Sequence, residues 1–129
     1  MKLRAGVAGA GAMGRNHARV FSLLNDVELV AIYDRDKSQA ESVAAEFGAV
    51  AVDSLDEFAK VIDAATVAVP TIAHREVGCH LMEQGVHVLM EKPIADSLDD
   101  ARALIETSHK CGKILQVGHI ERFNPVMKE

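Results

Sequence analysis

Gly9, Gly11 and Gly14 stand in the spacing G-x-G-x-x-G, and Asp34 follows 20 residues after the last of them. These residue types at these intervals can hold a dinucleotide, each for a mechanical reason. Gly9 allows a tight turn. Gly11 has no side chain, so backbone can approach a pyrophosphate closely. Gly14 lets a helix pack near a strand. A helix starting in this turn aims the free N–H groups of Ala12, Met13 and Gly14, and its positive dipole end, at the phosphates. A carboxylate at Asp34 can accept hydrogen bonds from both adenosine ribose hydroxyls; alone, it can also be a solvated strand-end acid. Its charge opposes a 2′-phosphate, so the pattern favours NAD over NADP. Arg35 works against that preference, because it can pair with such a phosphate or stack on the adenine.

The elements needed to position these residues are written around them. Leu3 to Ala8 is an apolar run that reads as a strand. Met13, His17, Val20, Phe21 and Leu24 recur at helical spacing, and Val27 to Tyr33 reads as a second strand ending at Asp34. A helix is expected over 37–47, capped by Asp36 and facing inward through Ala40, Val43, Ala44 and Phe47. A short strand over 49–52 leads to a helix capped by Asp53 or Ser54, with Leu55, Phe58, Ala59 and Ile62 inward. The second half opens with Ala64 to Val69, a near-continuous apolar strand of the kind buried on both faces. Pro70 ends it, Thr71 can cap a helix running to Gln84, and Ala73, Val77 and Leu81 face inward. His87 to Met90 is a strand, and Glu91 to Ile94 a loop. Ser97 opens a helix with a capping-box-like S-x-x-D and an apolar stripe of Leu98, Ala101, Leu104 and Ile105. Ile114 to Val117 is the sixth strand. This alternation predicts an α/β, doubly wound parallel sheet of Rossmann type, in three layers with strand order 3-2-1-4-5-6. Ligands in such sheets bind beyond the carboxyl ends of the strands, where the order reverses.

Composition narrows the alternatives. With 129 residues the chain is long enough for one core, and the net charge of −5 without a basic stripe argues against nucleic acid. No run approaches the roughly 20 apolar residues of a membrane span. Cys79 and Cys111 form no C-x-x-C, and no His cluster has metal-ligand spacing, so no metal is expected and free thiols in a reducing cytoplasm are. No leader segment is expected ahead of the first strand.

Five segments, AGAGAMGRNHA at 8–18, YDRD at 33–36, VAVPTIAH at 67–74, EKP at 91–93 and VGHIERFNP at 117–125, together resemble the N-terminal domain of the Gfo/Idh/MocA sugar oxidoreductases. The last segment looks most like members that oxidise nucleotide sugars, such as UDP-N-acetylglucosamine 3-dehydrogenases. The resemblance implies hydride transfer between a sugar hydroxyl carbon and the nicotinamide of NAD, with Lys92 of E-K-P facing the reaction. There a cation can hydrogen-bond the hydroxyl oxygen and stabilise alkoxide character; elsewhere such a lysine is a solvated loop residue. The Lys92–Pro93 bond is expected to be cis. Pro70 and Thr71 are expected to line the nicotinamide-ribose side. Glu91 either touches the nicotinamide ribose or forms an ion pair. His74, matched by the family's P-x-x-x-H, either shapes its loop or contacts cofactor. His17 reads as packing. His119, Arg122 and Asn124 are substrate candidates; Arg122 can meet a phosphate or carboxylate, or be a surface guanidinium.

Residues 1–119 are thus expected to be the dinucleotide-binding domain, and 120–129 the start of a crossover to a C-terminal substrate domain absent from this chain. The 129-residue chain is expected to bind cofactor without turnover, and an exposed domain-facing surface favours self-association into homo-oligomers. Two other classes fit less of the sequence. A stand-alone NAD(H)-sensing regulatory module needs the fingerprint but neither E-K-P nor the 118–125 segment. An interaction module that lost its ligand has no need of intact glycines and Asp34.

Overall fold

The computed structural model describes residues 2–118. Six strands form one parallel sheet: β1 Leu3–Ala8, β2 Val27–Tyr33, β3 Val50–Ala51, β4 Ala64–Val67, β5 His87–Glu91 and β6 Leu115–Gly118. Their order is β3-β2-β1-β4-β5-β6, as the alternation predicts. Helices α1 (Ala12–Leu23) and α2 (Lys37–Phe47) pack on one face over Val7, Leu29 and Ile32. Helices α3 (Leu55–Lys60), α4 (His74–Glu83) and α5 (Leu98–Cys111) belong to the other face, over Ala65, Val67, Val88 and Met90. Both faces of the central strands are covered, which is why β4 reads as near-continuous apolar sequence, broken only by the buried Thr66.

The expected caps largely hold. Asp36 accepts from the Ser38 and Gln39 N–H groups, Ser54 from Glu57 and Ser97 from Asp100. Asp53 does not cap α3; it pairs with Lys37. Asp100, one methylene shorter than the glutamate of a capping box, pairs with Arg75 at 3.0 Å. Thr71 does not cap α4. A 3-10 turn, Thr71–Ala73, precedes that helix, and Ala73 N–H donates to the Pro70 carbonyl at 2.9 Å. The early donors are met by backbone instead of a side chain.

Two helix faces differ from the expected ones. In α1 the fully buried residues are Gly14 and Ala18, with His17 and Phe21 half-buried, while Met13, Val20 and Leu24 are exposed. In α5 only Leu104 is fully buried; Leu98 and Ile105 are exposed. The physical reason is close approach. A Cβ on Gly14 would overlap the Gly9 carbonyl oxygen, so α1 meets β1 through its smallest residues. On the other face, Gly78 brings α4 so near that its own Cβ would meet Leu104 at 2.6 Å and Met90 at 2.7 Å. Helices this close to their neighbours turn their small residues inward and leave larger ones outside.

Among the described residues, no helix is long and apolar enough to cross a membrane, and no cluster of His, Cys, Asp and Glu is suited to a metal ion. Both cysteines are free and half-buried.

Candidate cofactor site

β1 ends at Ala8, and the chain turns at Gly9 with φ +104°. A side chain there would be strained by the backbone conformation and would meet the Ala68 carbonyl oxygen at 2.5 Å. Gly9 N–H donates to the Tyr33 carbonyl at 2.7 Å, and Ala68 N–H donates to the Ala8 carbonyl at 2.7 Å. The turn is thereby locked between β2 and the end of β4. Gly11 follows in open space: a methyl group on its Cα would meet nothing within 4 Å.

Helix α1 begins there, and its first turn differs from those of α2, α3 and α5. Gly11 supplies no side-chain cap, whereas Asp36, Ser54 and Ser97 cap the other three. The N–H groups of an uncapped first turn point outward as donors with a positive dipole end behind them. Arg15, just after Gly14, pairs with Glu46 of α2 and lies over the Phe47 ring at 5.9 Å, so it is committed to helix packing.

Asp34 sits at the end of β2, half-buried, 24 residues from the turn it supports. Its Oδ2 accepts from Ala10 N–H at 2.6 Å and its Oδ1 from Asp36 N–H at 2.7 Å. A carboxylate offers about four lone-pair sites, so two further donors, such as a pair of ribose hydroxyls, can still be met. Asp36 lies two residues on. The Ser38 hydroxyl and the Gln39 N–H hold its carboxyl below the usual range. Arg35 is exposed and has no ion-pair partner among the described residues.

Gly9, Gly11, Asp34, Arg35 and Pro70 line one open cleft of about 990 Å³. Sequence reasoning missed its far wall. Leu55, Ile72, Ala73 and Val77 make that wall apolar, and His80 pairs with Asp56 at 2.6 Å across its edge. Ile72 is 78% exposed, an isoleucine left in solvent at the mouth of a cleft. Its only sequence signal was a large apolar residue in a turn where polar ones are usual. Ala12 and Met13 are exposed in the first turn of α1, and Thr71 is half-buried beside Pro70.

The second group gathers at the ends of β4 and β5, which run side by side with Val67 opposite Met90. Lys92 is exposed, directly after β5, and the Lys92–Pro93 bond is cis as expected. Glu91 forms a contact with His17 Nε2 of α1; the two side chains are 14% and 12% exposed. This contact ties the end of β5 to α1. His17 is therefore more than packing. His74 is 1% exposed, with Nδ1 3.1 Å from the Ile94 carbonyl oxygen and Nε2 3.0 Å from that of Val69. It is buried between the segments that follow β4 and β5. His119, Arg122 and Asn124 lie outside the described residues.

The model of the oxidoreductase family with an NAD-binding Rossmann fold matches residues 3–119, nearly the whole chain. This chain belongs to the Gfo/Idh/MocA oxidoreductase family. It is similar to UDP-N-acetylglucosamine 3-dehydrogenase from Acidithiobacillus ferrooxidans: a solved structure of that protein has a TM-score of 0.93 and 34% identity, over 99% of this chain and 42% of that one. GenD2 from gentamicin A biosynthesis, solved in complex with NAD, superposes with a TM-score of 0.91 at 32% identity, over 96% of this chain and 36% of that one. 4-Carboxy-2-hydroxymuconate-6-semialdehyde dehydrogenase from Sphingobium sp. is 39% identical over 95% of this chain and 40% of its own length. The chain spans about two fifths of the length of these relatives. Within the Gfo/Idh/MocA family it corresponds to the NAD-binding Rossmann domain.

Proposed function

We propose that this chain is the cofactor-holding half of an NAD-dependent dehydrogenase acting on a hydroxyl of a sugar or nucleotide sugar. The observation that carries the reading is the uncapped first turn of α1 beside the open space at Gly11. Three other helices of this fold carry a side-chain cap on their first turn. Leaving donors of α1 unmet has a cost unless an anion meets them. A pyrophosphate suits that position, Asp34 suits the adenosine ribose, and the wall of Leu55, Ile72 and Val77 suits an adenine. Two carboxylates, Asp34 and Asp36, near the ribose end favour NAD over NADP; Arg35 is the cation opposing them.

Bound NAD would supply the hydride-accepting ring. The chain's own part is to orient that ring and to manage the hydroxyl. Lys92 would hydrogen-bond the hydroxyl oxygen and stabilise the alkoxide left when the hydroxyl proton passes to water, the charge that is then consumed as the hydride departs and the carbonyl forms. Pro70 lines the cleft and Thr71 follows it, and both are proposed to face the nicotinamide ribose. His119, Arg122 and Asn124 are proposed to face substrate. The substrate pocket itself is assigned to a further domain, for which the longer relatives have room. The nucleotide-sugar reading draws on the Acidithiobacillus relative. A second reading, a semialdehyde substrate, is favoured by the name of the Sphingobium relative and uses the same cofactor half.

The test is to titrate the 129-residue chain with NADH and then supply NAD with a panel of sugars, nucleotide sugars and semialdehydes. Binding without NADH formation is expected. Turnover by this chain alone would place the substrate pocket within it and end the two-half reading.

A further inference from the structure

Lys92 is exposed, and among the described residues its own side chain has no hydrogen-bond or ion-pair partner that fixes it. The residues on either side of it are held. One position before, Glu91 is gripped by His17 from α1. Two positions after, the Ile94 carbonyl lies 3.1 Å from His74 Nδ1. The same imidazole reaches the Val69 carbonyl at 3.0 Å, immediately before Pro70. One buried ring therefore spans the loops that leave β4 and β5. A second, from the helix that begins in the glycine turn, reaches the end of β5.

We infer that His17 and His74 are positioning residues that together set Lys92 against the cofactor. The inference rests on the proposed role of Lys92. Three features carry it. Both histidines come from elements remote in sequence, 74 and 20 residues from their partners. Both are largely withdrawn from solvent, where a hydrogen bond resists competition from water. Neither needs to touch substrate, because each acts on the backbone or side chain of a neighbour of Lys92. His17 has a second consequence. It lies on α1 one turn beyond Gly14, so its contact with Glu91 ties the helix that begins in the glycine turn to the residue before Lys92. At the His74 position the two ring nitrogens face two different carbonyl oxygens, and the nitrogen that carries the ring proton donates to the one it faces.

The experiment uses the 129-residue chain and a small amine-acylating ester, with Lys92 modification followed by peptide mass spectrometry. Lys110, exposed on α5, serves as the internal reference. Each protein is compared without NADH and at an NADH concentration that saturates it. In the unsubstituted chain NADH is expected to slow Lys92 acylation about tenfold, as for a group held at the cofactor. In His17→Ala and His74→Ala the slowing is expected to fall below about twofold at saturation, because a lysine displaced by an ångström leaves the cofactor's shadow. His17→Gln, which keeps a donor for Glu91, is expected to restore most of the protection. A purely structural histidine would change folding stability and NADH affinity but not protection at saturation. Full protection retained in both alanine variants would overturn this inference alone. An unsubstituted chain that binds NADH without protecting Lys92 would overturn the role of Lys92, and this inference with it. If His74→Ala does not fold, the pair His17→Ala and His17→Gln decides the question.

Discussion

The glycine turn and the E-K-P loop both lie at carboxyl ends of strands of one parallel sheet, β1 and β5, but are built by opposite means. At the turn, shape comes from side chains that are missing. Gly9 and Gly14 allow contacts that any Cβ would block, Gly11 leaves open space, and the locking hydrogen bonds are almost all backbone. At the loop, shape comes from side chains supplied by other elements: His17 through Glu91, and His74 through the Ile94 carbonyl. A site built by omission is local and rigid. A site built by distant side chains can be loosened one contact at a time without disturbing the sheet. That suits a division in which one region holds the cofactor and the other governs reaction.

The sharpest break in the comparison is Gly14→Ala. The added methyl would sit on the Gly9 carbonyl, so α1 must shift from β1, at a cost of about 3 kcal/mol. Denaturant unfolding should show that loss, with NADH binding lost as well. Gly11→Val comes next and separates fold from function. Its side chain enters open space, so the thermal midpoint should hardly change, while NADH affinity falls by about a hundredfold or more because the methyls occupy the phosphate position. Undiminished affinity would remove the cofactor assignment. Asp34→Ala should weaken NADH binding by about tenfold, one to two hydrogen bonds to a charged group, and raise the ratio of NADPH to NADH affinity. An unchanged ratio would mean that Arg35 decides the preference.

At the loop, Lys92→Ala should leave NADH affinity within about threefold, since an exposed loop lysine adds little to binding energy. In a longer version with the substrate half it should remove turnover; full activity would sink its catalytic role. Smallest of all is an acid effect remote from both regions. The Arg4 side chain, helped by the Arg4 backbone N–H, holds the Asp63 carboxyl below the usual range. A depressed folded value stabilises the fold above the unfolded value, near pH 3.9, and that contribution is lost as pH falls through the folded one. Asp63→Asn should therefore lower the denaturant midpoint slightly at neutral pH, and by less as the pH falls below the unfolded value. The pair is solvent-exposed, so the difference is expected to be small.

The same contrast explains what could be read from the chain itself. The glycine turn was legible because its physics is local: a fixed spacing of residues without side chains, a strand before and a helix after. Asp34 was legible because strand length fixes where the acid emerges. The sheet order followed from the alternation of elements. The inner face of α1 was not legible, because periodicity weighs large apolar residues, and here Met13 and Val20 gave way to Gly14 and Ala18 at a close contact. The bond between His17 and Glu91 was not legible either. Nothing local to either residue indicates a partner 74 positions away. The wall formed by Ile72 and Leu55 depends on how α3 and α4 sit beside the cleft, which is tertiary information.

The central claim is that the cofactor half of the site is complete within this chain. A fluorescence titration of the 129-residue protein with NADH and with NADPH, run beside Gly11→Val, tests it most directly. Saturable binding with NADH preferred, and lost in Gly11→Val at unchanged thermal stability, is the predicted result. Failure of the folded, unsubstituted chain to bind either cofactor, or binding untouched by Gly11→Val, would contradict it.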